Sequence, residues 1–295
     1  MNESHLKQLA DLLARGSELL ARVEGLLPAA AAPADWRAKA FRWRKLRGNG
    51  CLFAVKTLHC IRLQDLHGVD AQKAAIEQNT RQFVAGKSAN NVLLTGARGT
   101  GKSSLIKAVL NKFAGKGLRL IEVDKDDLVD LPEIVDLVRE RSERFIIFCD
   151  DLSFEAGEPG FKHLKSVLDG SVAGMPDNLL VYATSNRRHL MPEFMHENLD
   201  AKHDIEGELH PAESTEEKVS LSERFGLWLS FYPFDQEHYL VICNHWLMEL
   251  GLTQAQCTAA RGEALRFALQ RGSRSGRVAW QFARDYAGRL QTGHK

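Results

Sequence analysis

Apolar residues fall into two rhythms along this chain, and the switch between them divides it. Residues 3–27 place Leu6, Leu9, Leu13, Leu20, Val23 and Leu27 at alternating three- and four-residue steps, with Gly16 at the weak position. That spacing predicts a helix. It either packs on its own domain or pairs with a partner, and fewer than four heptads make pairing marginal. The stretch from Pro28 to Pro33, alanine in between, reads as a linker. Further on, short apolar runs at Asn91–Thr95, Leu118–Val123, Phe145–Cys149, Leu179–Ala183 and Leu227–Phe231 read as strands. Helical stretches separate them, among them Ser103–Phe113, Leu131–Arg141 and Phe161–Leu168. Apolar strands alternating with helices imply a parallel sheet covered on both faces, with ligand at the carboxyl ends of the strands. After Asp235 the pattern is purely helical, over 235–250, 253–270 and 275–290. The expected architecture is α/β: an N-terminal helical region over 1–50, a core with a five-stranded parallel sheet over 51–234, and a helical lid over 235–295.

Composition adds limits more than direction. The chain has 295 residues, 44% hydrophobic and 26% charged, with a net charge of +1, so no global charge argument for a polyanionic partner exists. Charge is uneven locally. Residues 36–64 hold eight Lys/Arg and no acid, whereas 193–217 hold nine acids against Lys202 alone. Five cysteines (51, 60, 149, 243, 257) form no C-x-x-C pair, which argues against a zinc ribbon or a disulfide framework. The first residues lack the basic and apolar regions of a secretion signal, and no window reaches 18 uninterrupted apolar residues. The expectation is a cytoplasmic protein with no membrane partner.

The chemistry begins where the first of the five strands ends. Gly96-Ala97-Arg98-Gly99-Thr100-Gly101-Lys102-Ser103 fits G-x-x-x-x-G-K-S between a strand and a helix, the P-loop or Walker A pattern in its proper context. Glycines let successive backbone N–H groups turn inward towards phosphate oxygens, and the following helix, opening on Ser103 and Ser104, adds its positive N-terminal end. Lys102 can reach the β- and γ-phosphates, and the Ser103 hydroxyl can ligate Mg²⁺. A nucleoside triphosphate is the expected ligand. Farther along, Phe145–Cys149 delivers Asp150 and Asp151 at a strand end, the Walker B arrangement. Asp150 would serve the Mg²⁺ shell and Asp151 would polarise an attacking water; a helix cap is the plainer use of the same acids.

From Leu63 to Gly288 this combination resembles the AAA+ superfamily of oligomeric ATPases, and within it an uncharacterised bacterial ATP-binding family. The resemblance implies ATP and Mg²⁺ as cofactors, ATPase activity, and a homo-oligomer with ATP sites between subunits. It assigns Asn186, in Leu179-Leu-Val-Tyr-Ala-Thr-Ser-Asn186-Arg-Arg, to the sensor 1 position that orients water. In Leu221-Ser-Glu-Arg224-Phe-Gly it makes Arg224 the candidate arginine finger. In Ser273-Arg274-Ser-Gly-Arg277-Val-Ala-Trp it makes Arg277 the sensor 2 arginine, with Arg274 as fallback. Asp65-Leu66-His-Gly68-Val69-Asp70 resembles the stretch that packs round adenine, through Leu66 and Val69.

One departure bears on rate. These enzymes place Glu after the Walker B Asp, and this chain has Asp151, whose shorter reach argues for slow hydrolysis; Glu155 is a reserve. Two functions follow: an oligomeric motor or remodelling factor acting on a protein client, or a slow nucleotide-dependent switch or loader that binds a protein or nucleic acid. The second takes its cue from Trp36, Phe41, Trp43 and Phe53 interleaved with Arg and Lys, since basic residues with stacking aromatics can hold single strands. The same segment read plainly is a surface packing on the core. The stretch 193–217 reads as a loop. His189, His196, His203 and His210 fall seven apart, but Gly207 and Pro211 interrupt the helix a metal site would need.

Overall fold

A computed structural model describes residues 12–19, 22, 34–46, 48–153, 159–169, 174–186, 202–203, 209–210 and 221–292. Among them lie nine strands: β1 (Ala40–Leu46), β2 (Asn49–Ala54), β3 (Val92–Gly96), β4 (Leu118–Glu122), β5 (Arg144–Cys149), β6 (Leu179–Ser185), β7 (Lys202–His203), β8 (Leu209–His210) and β9 (Leu227–Phe231). The principal helices are α1 (Asp70–Val84), α2 (Lys102–Phe113), α3 (Leu131–Arg139), α4 (Pro159–Asp169), α5 (Gln236–Glu249), α6 (Gln254–Gln270) and α7 (Gly276–Gln291).

Seven strands form one sheet in the order β2-β1-β4-β5-β6-β3-β9. All neighbours are parallel except β1 and β2, an antiparallel hairpin at one edge. The expectation of five strands is therefore corrected to seven, and the sheet begins at Ala40, ahead of the expected boundary at 50. The five strands read from apolar runs are all present. The added pair hid in the basic segment because its burial has period two: Phe41 and Trp43 are fully buried, while Arg42 and Arg44 point the other way. Arg42 donates to Glu122 of β4 at 2.7 Å, and Lys45 pairs at 3.0 Å with Asp130 at the end of the Lys125–Asp130 turn, so acids distant in sequence match these two cations. Trp43 donates its indole N–H to Asp130 Oδ2 at 2.9 Å. Trp36 packs edge-on to Phe145 with the Arg141 guanidinium 4.2 Å from its ring. Of the four aromatics weighed as stacking groups, only Phe53 is well exposed, at 42%.

Alternation along the parallel strands feeds two cores. Ile121, Phe145, Ile147 and Val181 face α3 and α4. Leu120, Ile146, Phe148 and Tyr182 face α1 and α2. A third cluster, built on Tyr239, Cys243, Ala264 and Phe282, holds α5–α7 together as the lid. Each lid helix starts on a polar cap, as its sequence requires: Asp235 accepts from the His238 N–H, Thr253 from Gln256, and Ser275 from Val278. The helix expected over 3–27 is described only at 12–19 and 22, where Leu12, Leu13 and Leu19 are exposed. Glu155, His189, His196 and most of 193–217 lie outside the described residues; β7 and β8, which hold Lys202, His203 and His210, pair antiparallel.

Candidate functional site

The carboxyl ends of β3, β5 and β6 converge, and the chemistry is concentrated there. Buried β3 ends in Gly96 at φ 130°, where a Cβ would lie 1.9 Å from the Phe231 carbonyl oxygen of β9. Only glycine fits. Gly99 (φ 76°) and Gly101 (φ 99°) complete the turn, and Thr100 Oγ1 closes it by donating to the Ala97 carbonyl at 2.8 Å. Gly101 is the N-cap of α2 and supplies no side-chain cap, which leaves the helix's first N–H groups facing the loop. Lys102 is buried, 6% exposed. Its ammonium donates to the Gly96 and Ala97 carbonyls at 2.6 and 2.8 Å and to Asn186 Oδ1 at 3.0 Å. Burial pulls its pKa below the ordinary lysine range, against the opposing pull of Asp151 and Asp150.

Both acids are held from two sides. Ser103 Oγ donates to Asp150 Oδ1 at 2.6 Å, and Thr184 Oγ1 donates to the same oxygen at 2.6 Å. The Asp151 N–H donates to Thr184 Oγ1 at 2.9 Å. Asp151 is the one described non-glycine residue at positive φ, 53°. Its carboxylate accepts from the Asn186 amide, and Arg98 lies 3.9 Å away. Lys102, Asn186 and Asp151 thus form one continuous chain. Ser103 and Asp150 offer hard oxygen donors side by side, a set that suits Mg²⁺ with phosphate oxygens and water completing its shell. The Cys149 thiol, just before the acids, is pushed up to about 12 by burial, with the Asp150 charge adding to it, which disfavours the thiolate.

Between core and lid runs a cleft of about 890 Å³. Arg98 to Ser104, Asp150, Asp151 and Asn186 line it, as do Leu66 and Val69, with Leu66 beside Gly101 of the loop. Gly96 and Ala97 sit behind this surface, where their carbonyls fix Lys102. The lid presents Arg277, Ile242, Trp246 and Trp280. It is joined to the phosphate loop directly: the Gly276 N–H donates to the Gly99 carbonyl at 2.8 Å. Arg277 therefore stands over the loop, whereas Arg274, the fallback from sequence, does not line the cleft. Arg224 lies elsewhere, paired with Asp169 at the end of α4.

The lid's aromatic wall was missed from sequence. Trp246 and Trp280 meet at 4.8 Å, and His245 joins Trp246 at 4.8 Å. The signal was there as helical spacing, since Ile242 and Trp246 are i,i+4 on α5 and Trp280 follows Arg277 by three on α7. Nearby, Asp65, His245 and Glu249 bring ligand atoms within 4.8 Å of one another. Arg62 already serves them as counter-ion, at 2.9 Å from Asp65 and 3.2 Å from Glu249. Burial pushes the Asp65 carboxyl up, but hydrogen bonds and charge from Arg62 prevail and hold it below the usual carboxylate range. This cluster ties the 62–66 segment to the lid. Among the described residues no helix is long and apolar enough to cross a membrane.

Comparison places the geometry among known folds. The structure of Aeropyrum pernix ORC1 in complex with DNA aligns with a TM-score of 0.53 at 16% identity, over 78% of this chain and 62% of that one. A point mutant of Thermotoga maritima RuvB aligns with a TM-score of 0.52 at 15% identity, over 80% and 68%. The T. maritima RuvB Holliday junction branch migration motor aligns at 0.48 and 15%, and this chain spans 66% of its length. The fold is that of the AAA+ P-loop proteins. No curated protein sequence matches the chain. Residues 36–290 match the family described as "Protein of unknown function (DUF815)", and the chain belongs to that family.

Proposed function

We propose that this protein binds ATP with Mg²⁺ in the cleft between core and lid and hydrolyses it slowly. The observation that carries this reading is the chain Lys102–Asn186–Asp151 lying against the pair Ser103–Asp150. A cation for the β- and γ-phosphates, an amide, an acid and two metal-competent oxygens meet at one helix N-terminus. Ser103 and Asp150 would hold Mg²⁺, which when bound neutralises phosphate charge. Asn186 orients Asp151, and Asp151 takes up the proton of an incoming water. Leu66 and Val69, with the lid's Trp246 and Trp280, form the apolar end suited to adenine. Arg277 meets the γ-phosphate from the same chain. Arg224, outside the cleft, serves a neighbouring copy's nucleotide, so the active form is a homo-oligomer.

A slow switch acting on a protein partner is the second reading, favoured by the short Asp151 in place of glutamate. The nucleic-acid version loses its cue, because Phe41 and Trp43 are spent in the core. Calorimetric titration of ATP and Mg²⁺ into the wild type and Lys102→Ala tests the central claim. Binding is expected in the first and not in the second; equal affinity in both defeats the site.

A further inference from the structure

Thr184 lies on β6 two residues before Asn186 and grips three successive residues of the turn after β5. Its hydroxyl donates to Asp150 Oδ1 at 2.6 Å and accepts the Asp151 N–H at 2.9 Å. Its carbonyl accepts the Leu152 N–H at 2.6 Å. The residue is 1% exposed, so no water competes for these bonds. A hydroxyl has one proton to give and lone pairs to receive, and here both capacities are used on adjacent acids. Asp150 Oδ1 consequently meets two hydroxyls, Thr184 from the sheet and Ser103 from α2. Asp151 at φ 53° occupies a conformation that a non-glycine residue keeps only when its surroundings hold it. The N–H bond to Thr184 supplies that hold.

We propose that Thr184 is the positioning residue for both acids: it fixes the rotation of the Asp150 carboxylate towards the metal and the backbone turn that presents Asp151. The inference rests on the Mg²⁺–nucleotide reading of this site. Thr184 borders the cleft floor with only 1% of its surface exposed, and its hydroxyl is spent on the two aspartates, so it acts through them, as residues behind a metal ligand do. A threonine used only to fill β6 would be replaceable by valine, which has the same shape and the same strand preference. A threonine used to orient Asp150 is replaceable by serine, which keeps the hydroxyl.

The test uses the full chain and a fluorescent ATP analogue titrated at graded Mg²⁺. For Thr184→Val, the Mg²⁺ concentration giving half of the metal-dependent gain in nucleotide affinity is expected to rise about 10–100-fold, the range seen for groups supporting a metal ligand. Affinity without Mg²⁺ should stay within about twofold, and Thr184→Ser should return the Mg²⁺ requirement to within about threefold of wild type. Thr184→Ala, which cannot overpack, gives the same reading should the valine variant not fold. An unchanged Mg²⁺ requirement in Thr184→Val overturns this inference alone, as does an equal loss in the serine and valine variants. A wild type that binds no Mg²⁺–nucleotide overturns the proposed function, and this inference with it.

Discussion

The Arg224 guanidinium is held by the Asp169 carboxylate of its own chain, 55 residues earlier at the end of α4. An arginine that completes a neighbour's site has to give up this contact when copies assemble. The pair is partly exposed, 23% and 42% at the two side chains, so it belongs with surface ion pairs of about 0.2–1 kcal/mol. Asp169→Asn should therefore lower the protein concentration at which ATP turnover becomes half-maximal by about two- to fivefold. Arg224→Ala should cut turnover by ~10³-fold or more while leaving ATP affinity of the single chain intact. Turnover measured against protein concentration, with sedimentation alongside, checks both; full activity in Arg224→Ala removes the residue from the mechanism.

Lys102 predicts a pH dependence of binding. Desolvation disfavours its charged form in the empty cleft, so its pKa lies below the ordinary value of ~10.4. A triphosphate favours the charged form and raises that pKa again. As pH climbs through the lowered value, the free protein loses a proton that the complex retains, so ATP affinity falls and binding takes up a proton. For stability of the empty chain the sign is opposite to that of an ion-paired lysine: the depressed pKa costs stability at neutral pH, and the cost fades as pH rises. Calorimetry in two alkaline buffers of different ionisation enthalpy measures the uptake, and no buffer dependence would contradict the assignment.

Asp151→Asn separates charge from backbone. Asparagine tolerates the φ of 53° as well as aspartate does, so the turn should persist while the carboxylate is lost. Single-turnover hydrolysis is expected to fall about 10²-fold or more with ATP affinity little changed. Equal rates would exclude Asp151 as the base.

What could be read along the chain, and what could not, follows the range of the interactions. The phosphate loop and the two acids were legible because strand, turn and helix are contiguous and each residue type has a local reason to be there. The order of the motif alone ranks Arg277 ahead of Arg274; where α7 meets the loop is set by the Gly276–Gly99 bond, which spans more than half of the chain and brings Arg277 to the cleft. Thr184 was invisible for the same reason, because a threonine in an apolar strand looks like strand filling until β5 is laid beside β6. The β1–β2 hairpin was hidden by charge. Arg42 and Lys45 read as surface until Glu122 and Asp130, some 80 residues away, are brought to them.

That hairpin yields a prediction which distinguishes core from binding surface. Trp43 is fully buried, its indole N–H bonded to Asp130, and its ring lies where a Cβ on Gly50 would come within 1.9 Å. The interlock leaves no room on either side. Trp43→Ala should cost about 3–5 kcal/mol, as loss of a buried aromatic does. Trp43→Phe keeps most of the apolar contact but strips Asp130 of a donor, for about 1–3 kcal/mol. Gly50→Ala should destabilise by overpacking, about 1–3 kcal/mol, without removing any group that could touch a ligand. Were the segment a stacking platform for single strands, Trp43→Ala would abolish binding at little cost to the fold. Urea unfolding of the three variants decides the matter: a change below about 0.5 kcal/mol in Trp43→Ala would take the hairpin out of the core.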